Sequence, residues 1–171
     1  MESGRPQHPV IAEDTGVGRL QVQIQTQGAS FYVDEPTSAG GLASGPSPFD
    51  LLSASLGACT VMTIKFYAQR KRIPVTHVQA IVFHDRHPES GRDVFQRSIF
   101  IAGAIDEAQM RQLLSAADRC PVSKTLSAGA DISTTRSAAA IPTGRRVEDD
   151  AHVRAMEMAC DDVPDPECLT G

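Results

Sequence analysis

The chain predicts an α+β domain in which antiparallel strands flank one long helix. Three observations carry that reading. Leu20, Val22 and Ile24 alternate with Gln21, Gln23 and Gln25, the period-two pattern of a strand with one wet face. Residues 48–72 read as a single helix, in which Leu52, Leu56, Cys59, Thr63 and Phe66 recur at helical spacing. The element order β-β-loop-α-β-β-α-α-β lacks the regular alternation of a doubly wound sheet.

Taken in order, residues 1–16 are polar and carry prolines, which predicts a flexible N-terminus. Gln27-Gly28 signals a turn, and Ser30 to Asp34 is the hairpin partner of the first strand. Pro36 to Pro48 holds Gly40, Gly41 and Gly45 and reads as a flexible loop feeding the helix. Ser47 suits a helix cap and Pro48 the first helical position, where a missing N–H costs nothing. Asp50 in the first turn and Arg70-Lys71-Arg72 in the last complement the helix dipole, and Pro74 stops the element. Ala54, Gly57 and Ala58 would let another backbone approach closely. Val75–His84 and Val94–Ile101 form a second hairpin around His87-Pro88-Glu89-Ser90-Gly91. Asp106 caps a helix with Ala108, Met110, Leu113, Leu114 and Ala117 on its apolar face. Cys120-Pro121 is the cap and first position of a short helix to Ser127, Gly129 ends it, and Asp131–Thr135 is a candidate closing strand.

Charge separates the body from the tail. Residues 137–171 hold 3 of the 16 basic and 8 of the 21 acidic side chains, leaving the body balanced. Composition predicts a disordered or loosely attached acidic tail, with a short helix from His152 to Cys160 as its one structured candidate. A neutral body without Trp offers neither a basic patch nor a stacking platform, so no nucleic-acid partner is expected. The N-terminus lacks the apolar run of a signal peptide, and no stretch reads as about 18 apolar residues of a membrane span. A soluble cytoplasmic protein with reduced thiols is the expectation, without a membrane partner.

The chemistry rests on cysteine. Cys59, Cys120, Cys160 and Cys168 show no C-x-x-C spacing, which argues against a zinc site, and no metal or bound organic cofactor is expected. Cys120 sits at a helix start beside Arg119, and both a helix N-terminus and a cation stabilise thiolate. Cys59 lies mid-helix and would need a guanidinium from another segment. A thiolate can attack a peroxide to give sulfenic acid, which a second thiol condenses to a disulfide. From the residues alone, Cys59 and Cys120 are a candidate redox pair, against the alternative of small buried hydrophobes. His84-Asp85-Arg86-His87 reads as a strand end entering a turn, and Ser53 and Ser55 lack the flanking glycines of a nucleophile elbow.

The run Gly45-Pro46-Ser47-Pro48-Phe49-Asp50-Leu51-Leu52, continued by Leu56-Gly57-Ala58-Cys59-Thr60, resembles the signature of the OsmC/Ohr family of osmotically inducible and organic-hydroperoxide-resistance proteins. Ala117-Asp118-Arg119-Cys120-Pro121-Val122 resembles that family's second cysteine segment. The resemblance implies an OsmC-like domain over residues 17–136, with residues 137–171 as the tail. It also implies an intertwined homodimer with active sites at the interface, Cys59 as the peroxidatic nucleophile and Cys120 as the resolving thiol. One position departs from the pattern. The hydroperoxide-reductase branch begins the helix with a Glu that pairs with an activating Arg, and here that position is Phe49. Asp50 is the nearest carboxylate, with Arg19 and then Arg119 as candidates for thiolate activation. The expected function is a thiol-dependent peroxidase acting on small organic hydroperoxides and restored by an external dithiol. A non-catalytic ligand-binding or redox-sensing dimer is the alternative, and Cys160 and Cys168 are further thiols able to exchange with Cys120.

Overall fold

A computed structural model describes residues 9–139 and 151–161. The described residues divide into two compact units, 9–51 with 132–139 and 52–131 with 151–161.

In the first unit, β1 (Ile11–Asp14), β2 (Val22–Gln25) and β3 (Ser30–Val33) form an antiparallel sheet in that order. The β2–β3 hairpin pairs Val22 with Val33 and Gln25 with Ser30, the partnership that the alternation predicts. β1 corrects the expectation of a flexible start, because Ile11 pairs with Gln25 and Asp14 with Val22. Four residues with one half-buried apolar side chain give too little alternation to read, and β1 forms by pairing backbone to the edge of β2.

The glycine-containing loop is also more ordered than its composition predicts. Asp34 is buried, and its carboxylate accepts from the Glu35 N–H at 2.9 Å, the Leu42 N–H at 2.9 Å and the Ser44 hydroxyl at 2.8 Å. Burial pushes the Asp34 carboxyl up, but the bonds from Ser44, Glu35 and Leu42 together hold it below the ordinary value. A Cβ on Gly41 would run into the Glu35 carbonyl, and one on Gly45 into the Tyr32 carbonyl, so close backbone approach requires both glycines.

The long helix α1 (Pro48–Lys71) starts where its signals place it. The Ser47 N–H donates to Asp50 at 2.9 Å, while the Asp50 N–H donates to the Ser47 hydroxyl at 3.2 Å, a reciprocal cap. Arg72 leaves the helix at φ 55°, and the Ile73 N–H returns to the Ala68 carbonyl at 2.8 Å. By length and composition α1 is apolar enough to cross a membrane, which the sequence reading did not anticipate. Its apolarity serves a protein core instead, with Ile64, Tyr67 and Ala68 buried.

In the second unit, β4 (Val75–Arg86) and β5 (Asp93–Gly103) form one long antiparallel hairpin, with Val82 opposite Arg97 and His84 opposite Phe95. Helix α2 (Glu107–Asp118) opens on a capping box of Asp106 and Gln109, and α3 (Pro121–Ala128) opens on Cys120. Tyr67, Leu113, Ala116 and Ala117 are fully buried together, with Val78 and Ile101 of the hairpin packed on them. Truncating Leu113 to Ala would cost about 2–5 kcal/mol. Helix α4 (Ala151–Asp161) contributes Cys160 to this core, and Arg70 pairs with Asp161 at 2.6 Å. The helix expected from His152 to Cys160 is thus present and packed, which corrects the loose attachment expected of that part of the tail. Residues 140–150 and 162–171, including Cys168, lie outside the described residues. No strand forms at Asp131–Thr135, where Ile132 is 91 % exposed and makes no strand pairing.

Two apolar surfaces are exposed among the described residues of the second unit. Ile81, Phe83 and Phe100 point outward from the hairpin, and Leu52 and Met62 are exposed on α1. Gly57 meets Val82 of its own chain, where an added Cβ would sit at an ordinary 3.6 Å.

Candidate active site

Helix α1, strand β5, the α2–α3 junction and α4 each supply one group to a thiol cluster. Cys59 sits midway along α1 because Leu56 and Cys59, three residues apart, fall on one buried helical face. Cys120 ends the turn after α2 and caps α3, its sulfur accepting the Ser123 N–H at 3.4 Å. Both cysteines are free and buried, and they share a small core with Leu56, flanked by Val82, Phe95, Val122 and Leu126.

Arg97 is the cation of this cluster. It lies in phase with Phe95, Ile99 and Ile101 on the inner face of β5, with a side chain only 12 % exposed. Its guanidinium donates to the Thr60 hydroxyl at 2.8 Å, the Ala117 carbonyl at 3.1 Å and the Asp118 carboxylate at 2.7 Å. Thr60 passes its own proton to the Leu56 carbonyl at 2.7 Å. The guanidinium is thereby pinned between the helix that carries one thiol and the segment that carries the other.

The two thiols divide their charge unequally. The Cys59 S–H donates to the Cys120 sulfur, and this bond, helped by the Ser123 N–H, Thr60 and Arg97, outweighs burial and lowers Cys120 to about 6. Cys59 moves up, first because Cys120 carries the charge and second because it is buried. The Val122 N–H opposes this rise, and the Thr63 hydroxyl, which has no partner of strict hydrogen-bond geometry, interacts weakly with the Cys59 sulfur in the same sense. On its other side Cys59 meets α4, with the His152 Nε2 3.3 Å from its sulfur.

The remaining sequence candidates have other local partners or lie in another unit of the chain. Arg119 is half-buried at the end of α2, and its N–H bonds the Ala116 carbonyl at 3.1 Å. Asp50 is engaged in the α1 cap, where the Ser47 N–H and hydroxyl hold its carboxyl below the ordinary value. Arg19 belongs to the first unit, exposed in the β1–β2 connection. Sequence reasoning missed Arg97 and the contact of His152. Each carried a signal: Arg97 is a charge in register with inward apolar residues, and His152 shares a helical face with Met156, Ala159 and Cys160.

The model of the OsmC-like protein family matches residues 40–135, more than half of the chain and both cysteine segments. The chain belongs to the OsmC family. Among curated proteins none matches it in sequence. Solved structures share the fold at low identity. An osmotic stress induced and detoxification response protein from Psychrobacter arcticus 273-4 is 21% identical, with 71% of this chain and 89% of that one covered and a TM-score of 0.61. The OsmC like protein from Mycoplasma pneumoniae is 19% identical over 71% of this chain and 88% of that one, with a TM-score of 0.58. An organic hydroperoxide resistance protein from Vibrio cholerae is 20% identical over 73% and 88%, with a TM-score of 0.51. Helix α4, which carries His152, lies outside the family match.

The cluster borders a groove of about 740 Å3 whose lining includes Leu56, Phe95, Arg97 and Leu126. Its walls are mixed, with Leu56, Phe95 and Leu126 beside Arg92, Arg97, Asp93 and His87, and they offer a small molecule both apolar and charged contacts.

Proposed function

We propose that the chain reduces organic hydroperoxides with the Cys59–Cys120 pair. The observation that carries this reading is the contact of two buried free thiols beside a pinned guanidinium. A cysteine thiolate attacks the distal oxygen of the hydroperoxide; an S–O bond forms, the O–O bond breaks, and the alkoxide leaves and takes a proton to become the alcohol. The second thiolate then attacks the sulfenic sulfur, forming the disulfide and expelling hydroxide, which is protonated to water. An external dithiol returns both cysteines to the thiol state. Cys59 is the attacking sulfur in this reading, as the resemblance implies, and the low-lying Cys120 is a resolving thiolate already formed. Leu56, Phe95 and Leu126 in the groove give the alkyl body of an organic hydroperoxide an apolar contact, with Arg97 beside them.

The working form is a homodimer in a reducing cytoplasm. A second copy would cover Ile81, Phe83 and Phe100, which are 49%, 63% and 57% exposed. Turnover of an alkyl hydroperoxide by the full chain with an added dithiol, against hydrogen peroxide as comparison, tests the activity. Stoichiometric disulfide formation without turnover would instead mark a redox-sensing or binding module, a reading that the absence of the helix-start Glu at Phe49 favours.

A further inference from the structure

We propose that His152, carried by α4 from outside the family-matched segment, is the proton acceptor that turns Cys59 into the attacking thiolate. This deepens the peroxidase reading and rests on it. Cys59 is 2 % exposed, and its S–H faces Cys120, a sulfur that already carries the charge of the pair. A second negative charge beside it needs a base to take the proton and a cation to offset the result. His152 meets both needs from one position, with Nε2 at 3.3 Å from Sγ. The tautomer with its proton on Nδ1 leaves Nε2 to accept. The imidazolium formed then stands against Cys59 as Arg97 stands against Cys120, giving two cations for two thiolates.

Burial of the following turns of α4 holds the helix, and with it the start that carries His152, in place. Met156 and Ala159 are 6 % and 1 % exposed on the same helical face, Cys160 enters the main core, and Arg70 pairs with Asp161 at the far end. His152 itself is exposed, so the ring exchanges protons with water. The charged and titratable groups around the pair are Cys120 at the α2–α3 junction, Arg97 of β5 with its partner Asp118, and His152 of α4.

The proton path closes on the reaction. The Cys59 S–H turns from Cys120 to Nε2 by rotation about its Cβ–Sγ bond and passes its proton there, and the thiolate takes the distal oxygen as the O–O bond breaks. The imidazolium returns the proton to the departing alkoxide, which leaves as the alcohol. Attack by Cys120 then expels hydroxide, which takes a proton from solvent.

The test uses the reduced full chain and needs no peroxide. Iodoacetamide labelling of Cys59, Cys120 and Cys160 is followed separately by peptide mass spectrometry across the imidazole titration range. Cys160 reports whether α4 is docked, because it is buried in the core only while α4 is in place. In His152→Ala the Cys59 rate at neutral pH should fall on the order of tenfold, added imidazole should restore it, and Cys120 should label as before. His152→Gln should match Ala in rate, since an amide fills the place without accepting a proton from a thiol. An unchanged Cys59 rate in either variant with Cys160 still protected overturns the proposal. So does exposure of Cys160 in both variants, which would make His152 a docking residue. Slowed Cys59 labelling in a protein that turns over no hydroperoxide would keep the pair and remove the peroxidase reading.

Discussion

Cys59 and Cys120 touch, yet the segments that carry them treat sulfur in opposite ways. Cys59 lies midway along a 24-residue helix, where the N–H groups of its own helix are committed to the ladder, and the Val122 N–H that reaches its sulfur comes from α3. Cys120 opens an eight-residue helix, where unpaired N–H groups face the sulfur and Ser123 donates to it. The same side chain is therefore a charged acceptor in one segment and a protonated donor in the other. In the proposed reaction the ionised Cys120 is the resolving group held ready, and the protonated Cys59 needs outside help to begin.

The largest effect expected is loss of turnover on removing either sulfur, with the intermediate accumulating in only one variant. In Cys120→Ser, peroxide should leave Cys59 as sulfenic acid that a dimedone-type probe captures. In Cys59→Ser, labelling should be absent. Labelling of Cys120 in Cys59→Ser, with none of Cys59 in Cys120→Ser, would reverse the assignment of stages.

Next in size is Arg97→Met, which keeps the apolar stem and removes the charge. The half-point for Cys120 alkylation should rise from about 6, and only modestly, because the guanidinium's charge is the smallest of the influences that favour this thiolate. Asp118 is left mostly in solvent, at 77% side-chain exposure, so the fold should tolerate the change. An unmoved half-point would mean that the Cys59 S–H, the Ser123 N–H and Thr60 hold the thiolate without the guanidinium.

The unequal treatment of these two residues by sequence reasoning has a physical cause. Cys120 is legible as a cap because Pro121 follows it and Gly129 ends the helix, signals local to a few residues. The α1 and α2 starts are legible for the same reason, through Ser47-Pro48 and Asp106. Arg97 and His152 act across the fold, on partners 37 and 93 residues away, and nothing local names those partners. β1 was hidden because its stability comes from the edge of β2 rather than from its own pattern. Asp34 was hidden because a buried carboxylate that organises a loop has the composition of an exposed one.

A smaller effect is the pH dependence of stability in the reduced protein. Cys120 sits at about 6 in the folded chain, against about 8.5 for a thiol in the unfolded chain. Between those values the unfolded state binds the extra proton, so stability should rise with pH, and the contribution is lost as pH falls through the folded value. Above the ordinary thiol value the sign reverses, because Cys59 keeps a proton that the unfolded chain gives up. Urea midpoints across pH should trace this rise and fall. Cys120→Ser should flatten the rise, and an identical slope in that variant would remove Cys120 as its source.

The smallest effect belongs to Phe49→Glu, and it tests whether the missing carboxylate matters once His152 and Arg97 are present. Position 49 is the second residue of α1, and Phe49 is 44 % exposed, so the substitution gives up little burial. A carboxylate there meets the positive end of the helix dipole, worth about 0.3–1 kcal/mol, and stands beside the Ser47–Asp50 cap without replacing it. If a guanidinium such as Arg19 needs a carboxylate to fix its direction, the variant should consume peroxide faster and alkylate Cys59 at lower pH. The gain should stay below about tenfold, because a positioned base already supplies the proton transfer that such a pair would assist. A much larger gain would mean that His152 contributes little and that Phe49 is the chain's main handicap. An unchanged rate in a folded Phe49→Glu protein would place the whole of Cys59 activation on α4.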